Sequence, residues 1–160
     1  MMLKKLLECP DPRLRQVCDE VKTIDSYVLD LIQEMISIVR KSSMTFKGKE
    51  FKGVGLAAPQ IGEMVRVFVV ETPNFSLAAI NPSIIKASHP IRVLEACLSL
   101  PGRLFLVERP KINKFRFLAP DGTMRAMKLH DSSAQEVMHE IDHLNGIMID
   151  EIAIRELHDF

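Results

Sequence analysis

The hydrophobic period changes twice along this chain, and those changes restrict its fold more than any other feature. From Asp25 to Lys41, apolar residues recur at helical spacing (Val28, Leu31, Ile32, Met35, Ile36 and Val39), which predicts an amphipathic helix with one buried stripe. From residue 64 the pattern shortens to β-type runs: MVRVFVV (64–70), SLAAI (76–80), RLFLVE (103–108) and KINKFRFLA (111–119). Pro120-Asp121-Gly122 is a turn signal that brings TMRAMKL back as a hairpin partner. A helix is expected again from about Asp131 to Ser133 onward, with Gly146 placed to stop it. Asp11-Pro12 offers an N-cap and a first-turn proline, predicting a short helix through Cys18. SSMTFKGKEFKGVG (42–55) reads as a polar, glycine-punctuated loop. Helices flanking a run of mostly antiparallel strands give an α+β fold with a helix laid against the sheet. With no repeat or linker-like tract, residues 1–160 are expected to form one domain.

Charge and composition exclude several classes of function. The 21 basic and 21 acidic side chains cancel, so the chain lacks the basic footprint of a nucleic-acid binder, and a small or neutral partner is expected rather than DNA. No apolar run approaches the ~20 residues needed to cross a bilayer. The N-terminal apolar stretch is cut short by Pro10, Asp11 and Pro12, so a cytoplasmic protein without membrane attachment is expected. Three cysteines in such a chain do not suggest a disulfide framework. Cys9 and Cys18 read as small buried hydrophobes.

Chemistry concentrates in three stretches. In HEIDH (139–143), two histidines four apart lie one above the other on a helix, so His139 and His143 can present both rings to one point. Glu140 is offset by ~100°, within reach of a water between them. This is the logic of two metal ligands plus a carboxylate base; the plain alternative is a solvated helix face. A catalytic site of this type needs a third protein ligand. Cys97, in LEACLSLPG, is the one cysteine in a setting that suggests a site, between Glu95 and Ser99 and just before a Pro-Gly turn. GVGLAAPQIG (53–62) is a run of small residues whose backbone something else can approach closely. It ends near Gln60, which is either part of a simple turn or an amide donor for a reacting oxygen.

Together the three stretches resemble peptide deformylase, a family whose motifs GxGLAAxQ, EGCLS and HExDH occur in this order. Here they read GVGLAAPQ (53–60), EACLS (95–99) and HEIDH (139–143), and the likeness extends to CPDPRLR, NPSII and VERP. The resemblance implies an α+β fold of small, mostly antiparallel sheets around the HExxH helix. It implies that Cys97, His139 and His143 hold one divalent metal, Fe(II) physiologically, with Zn(II), Ni(II) or Co(II) as substitutes. Glu140 would be base and acid, and Gln60 with the Leu98 N–H would face the oxyanion. Val54 and Gly55 would bring their backbone near an extended substrate. The implied activity is removal of the N-formyl group from the initiator methionine of nascent polypeptides, releasing formate. The implied partners are N-formyl-methionyl peptides, with transient ribosome contact and a monomeric state. Asp142 is expected to anchor the helix by pairing with a basic residue such as Arg109.

Two positions depart from the pattern. Ala96 replaces the motif glycine, so it is either strained at positive φ or crowds the substrate side. Glu136 lies three residues before His139, where the family is apolar around the methionine pocket. It either faces that substrate pocket, where a carboxylate disfavours an apolar guest, or closes a capping box with Ser133. The departures leave two further readings open: a related metal hydrolase with another N-acyl substrate preference, or a weakly active deformylase-like binding protein.

Overall fold

The computed structural model describes residues 2–158. The first helix, α1 (Ser26–Lys41), begins where predicted, with the Asp25 side chain accepting from the Val28 N–H at 3.1 Å. Its buried stripe is Val28, Leu31, Ile32, Met35, Ile38 and Val39, and Ile36 is only partly covered. The helix expected through Cys18 is shorter: a single 3-10 turn, Pro12–Arg15, capped by Asp11.

Strands β1 (Ser43–Phe46) and β2 (Lys49–Lys52) form a hairpin where a loop was expected. Lys47 and Gly48 take φ of 47° and 76°, the two left-handed residues a tight hairpin turn needs. The polar composition concealed this, because Met44, Phe46 and Phe51 are interspersed with hydroxyl-bearing and charged residues.

The main sheet has six strands, all paired antiparallel: β3 (Gly55–Ala57), β4 (Val67–Thr72), β5 (Phe75–Glu95), β6 (Leu104–Leu118) and β7 (Met124–His130) in that order, with β8 (Arg155–Leu157) pairing β6. β4 begins three residues later than expected. β5 continues fifteen residues beyond the predicted run, and β6 joins two predicted strands into one. Pro82, Pro90 and Pro110 read as breakers in sequence, yet they sit inside these strands. They are tolerated because the neighbouring ladders have stopped: β4 pairs β5 only as far as Ile80, and β6 is flanked by β8 only through Leu106 and by β7 only from Ile112. A missing N–H there interrupts no second ladder.

Helix α2 (Asp131–Leu144) follows β7, and a short α3 (Ile149–Ile152) follows it. The two long helices cover opposite faces of the sheet. Val67 and Val69 of β4 pack with α1, whereas Phe68 and Val70 pack with Ala134, Val137, Ile141 and Leu144 of α2. That double burial explains why β4 is apolar at four consecutive positions. Asn113, buried on β6, donates to the Ala134 carbonyl at 2.8 Å and ties α2 to the sheet. No helix among the described residues is long and apolar enough to cross a membrane.

Gly146 ends the region of α2 with φ of 73°, and a Cβ there would lie 2.7 Å from the Arg15 carbonyl oxygen. Gly146→Ala is therefore expected to cost more than about 2 kcal/mol, combining left-handed strain with a backbone clash. Urea unfolding measures this; an unchanged midpoint would mean that the Arg15 segment moves aside freely.

Candidate metal centre

Two elements converge beneath the hairpin. α2 is buried on two faces: its apolar stripe lies on the sheet, while His139 and His143 face the end of β5 and the segment that follows it, and Glu140 faces the start of β3. That segment carries Cys97, itself buried beside Leu14, Leu100 and Phe105. The ligand atoms of Cys97, His139 and His143 all lie within 4.8 Å of one another. Cys97 Sγ is 3.4 Å from His143 Nε2, and the two Nε2 atoms are 3.2 Å apart. Nitrogens bound at ~2.05 Å to a tetrahedral ion would be roughly 3.4 Å apart, with a sulfur at ~2.3 Å roughly 3.6 Å from each. The spacing therefore fits one ion. Three buried lone-pair donors aimed at one point repel each other unless a proton or cation lies between them.

The His139 ring is oriented from behind. Its Nδ1–H donates to Glu95 Oε2 at 2.9 Å, leaving Nε2 toward the other ligands. Glu95 is gripped in turn by Arg109, whose Nε and Nη2 reach its two oxygens at 2.7 and 2.9 Å. The third Arg109 nitrogen, Nη1, pairs with Asp142, the anchoring contact expected from the sequence. Burial alone would raise the Glu95 carboxyl, but the hydrogen bonds from His139 and Arg109 outweigh it and bring it to about 2. Burial lowers the His139 pKa, while Cys97 and Glu95 raise it well above the ordinary value. A cation must therefore compete with a proton for this ring.

Glu140 is 2% exposed, and its Oε2 has no hydrogen-bond partner. Burial pushes its carboxyl up to about 8; a neighbouring cation would pull it back down. The carboxyl lies against the start of β3. A Cβ on Gly55 would sit 2.3 Å from Glu140 Oε1, so glycine at this position makes room for this carboxyl. Gln60 is held in one orientation: its Oε1 accepts from the Ala57 N–H at 2.9 Å, which turns Nε2 toward Ser99 Oγ (3.1 Å) and Cys97 Sγ (3.6 Å). The Leu98 N–H makes no hydrogen bond among the described residues.

These groups share one cavity of about 640 Å³. Val54, Gly55, Gln60, Cys97, Leu98, Glu136, His139 and Glu140 all line it, while His143 lies behind the wall. The hairpin residues Met44, Phe46 and Phe51 form its outer side, a role the sequence reading missed along with the loop. It also named Glu95 and Ser99 only as flanks of Cys97. Their charge and hydroxyl were visible, but their partners lie 44 and 39 residues away. Two departures are resolved here. Ala96 is absent from the non-glycine residues with positive φ, so its backbone is unstrained and its methyl lines the cavity. The capping box does not form, because α2 starts at Asp131 with His130 as N-cap and Ser133 is already within the first turn.

The fold and the Cys–His–His cluster define the class: an α+β protein with a site for a single metal ion on an HExxH helix. Residues 3–157 match the family model for polypeptide deformylase. A peptide deformylase of Alkaliphilus metalliredigens is 37% identical over 156 residues, covering 98% of this chain and 100% of that protein. One from Clostridium botulinum is 35% identical over 92% of this chain and 95% of its own length. The crystal structure of the Thermotoga maritima peptide deformylase aligns with a TM-score of 0.87 at 30% identity, covering 97% of this chain and 100% of that one. A Synechococcus elongatus peptide deformylase in complex with actinonin aligns at 0.83 and 30% identity, covering 95% and 80%. The chain belongs to the polypeptide deformylase family.

The buried tether predicts its own phenotype. Glu95→Gln leaves Arg109 with half its countercharge and loosens His139, with an expected loss of about 3–5 kcal/mol at pH 7. Because the Glu95 carboxyl is depressed on folding, its contribution is present above its unfolded value of 4.5 and fades as pH falls toward about 2. Urea titrations of both proteins should therefore converge across that range, and a gap independent of pH would count against the assignment.

Proposed function

We propose that this chain is a peptide deformylase that hydrolyses the N-formyl group of the initiator methionine on nascent polypeptides, releasing formate and a free amine. The observation that carries this is the meeting, on one cavity, of the Cys97–His139–His143 ligand atoms with an unpartnered carboxyl and two polar donors. The donor set of one thiolate and two imidazoles suits Fe(II), with Zn(II), Ni(II) or Co(II) able to substitute. Such an ion supplies Lewis acidity toward a carbonyl oxygen and toward water.

The rest is work for the chain's own groups. β3 is the end strand of its sheet, so an extended substrate can pair along Val54 and Gly55, with its formyl group toward Glu140. Glu140 takes a proton from the attacking water as the new C–O bond forms. It gives that proton to the amine nitrogen as the C–N bond breaks. Gln60 Nε2–H and the Leu98 N–H donate to the oxygen that becomes negative, and losing one such donor typically costs ~3–4 kcal/mol in related chemistry. The cavity wall favours one variant of this reading, an altered preference for the acylated residue, because it holds Glu136. Nascent chains as substrates support a cytoplasmic location for the activity.

The test combines metal analysis with a formate assay on formyl-Met-Ala-Ser under anaerobic conditions. About one iron or zinc per chain with sustained formate release is the expected result. Removing the ion with a chelator should abolish release, and adding Fe(II) or Ni(II) should restore it. Metal-loaded protein that releases no formate would overturn the proposal. Glu140→Gln should keep its ion and lose turnover by about 10²–10⁴-fold; near-normal turnover would remove Glu140 from the proton transfer.

A further inference from the structure

Glu136 and Glu140 are the two carboxyls on the cavity wall, and only Glu140 has work in the proposed chemistry. Glu136 precedes His139 by three residues and Glu140 by four, so all three share one face of α2. It lies one turn nearer the helix N-terminus, about 5 Å along the axis. Leu94 and Ala96 line the cavity with it. Gln135 Nε2 donates to the Leu94 carbonyl at 3.4 Å and holds that strand end against the helix. The Glu136 side chain is half-buried and makes no hydrogen bond or ion pair among the described residues. Burial raises its pKa, partly opposed by His139 and Arg109. An acceptor left unpaired in a cleft is costly, and a bound ligand with a donor can relieve that cost.

The position of Glu136 relative to the reacting centre decides what it can touch. A formyl carbon beside Cys97, His139 and Glu140 is three bonds from the Cβ of the acylated residue. A side chain of methionine length therefore ends within about one helical turn of the ligands. With the substrate main chain paired along Val54 and Gly55, that side chain is left to the rest of the cavity lining, where Leu94, Ala96 and Glu136 lie.

We propose that Glu136 is a specificity-determining residue: it places a hydrogen-bond acceptor at the end of the first side-chain subsite, so this chain favours a side chain ending in an N–H or O–H donor over an apolar one of equal length. The proposal rests on the deformylase reading above. Glutamine and norleucine are both close to methionine in length, and of the three only glutamine ends in N–H donors, so formyl-Gln-Ala-Ser, formyl-norleucyl-Ala-Ser and formyl-Met-Ala-Ser are the probes.

In metal-loaded protein, Glu136→Leu should lower the glutamine-to-norleucine ratio of kcat/KM by about tenfold, mainly through KM. The same change should improve turnover of the methionyl peptide. Glu136→Gln keeps an acceptor and should hold the ratio within about threefold of the parent, which also covers a Leu variant that folds poorly. An unchanged ratio in Glu136→Leu would overturn the proposal. Should no peptide release formate, the deformylase reading fails by itself. The subsite is then tested by calorimetric Kd on zinc-loaded Glu140→Ala protein with and without Glu136→Leu. Tighter binding of the glutamine peptide that disappears with Glu136 supports the assignment, and equal Kd values sink it.

Discussion

The ion pair between Glu95 and Arg109 is the contact on which the site depends. Both side chains are nearly inaccessible, at 5% and 3% exposure, and each is satisfied on several atoms. A buried pair of this kind adds little net stability over apolar residues of the same size, but breaking one partner leaves a stranded charge. Its value here lies in position. Glu95 ends β5 two residues before Cys97, and its second oxygen fixes the His139 ring. One carboxylate therefore sets the distance between the strand-borne and the helix-borne ligands. Arg109 carries the same network to Asp142, beside His143, so both histidine positions are referred to one strand.

Around that network, the cavity is assembled from parts with different tolerances. Gly55 admits no side chain without displacing Glu140, and Gln60 has both ends of its amide committed. Ala96 and Glu136, by contrast, line the cavity without a partner among the described residues. The buried end of the cavity is over-determined by packing and hydrogen bonds, while Ala96 and Glu136 carry no such constraint.

Much of this was legible in the sequence because its causes are local. The spacing of His139 and His143 requires only a helix, and α1 follows from its stripe and the Asp25 cap. The HEIDH, EACLS and GVGLAAPQ stretches are each contiguous. What stayed hidden depends on partners distant in sequence. Pro90 and Pro110 look like breakers until the ladders beside them are known to have ended. The 43–52 hairpin looks like a loop because its apolar residues are few and face a cavity instead of a core. Ser133 and Glu136 match a capping box, yet His130 had already started the helix, so the local pattern lost to the tertiary boundary.

The two polar tethers between β6 and α2 carry a geometric consequence. Asn113 holds the carbonyl of Ala134, and Arg109 pairs with Asp142, so four residues of strand span the same interval as eight residues of helix. At about 3.3 Å per strand residue and 1.5 Å per helical residue, the two intervals are roughly 13 and 12 Å. The strand therefore acts as a ruler laid antiparallel along the helix, with a mark near each end. Inserting or deleting one residue between Asn113 and Arg109 would reverse which face one mark points to. The ligand geometry would then be lost while every ligand remained in the chain.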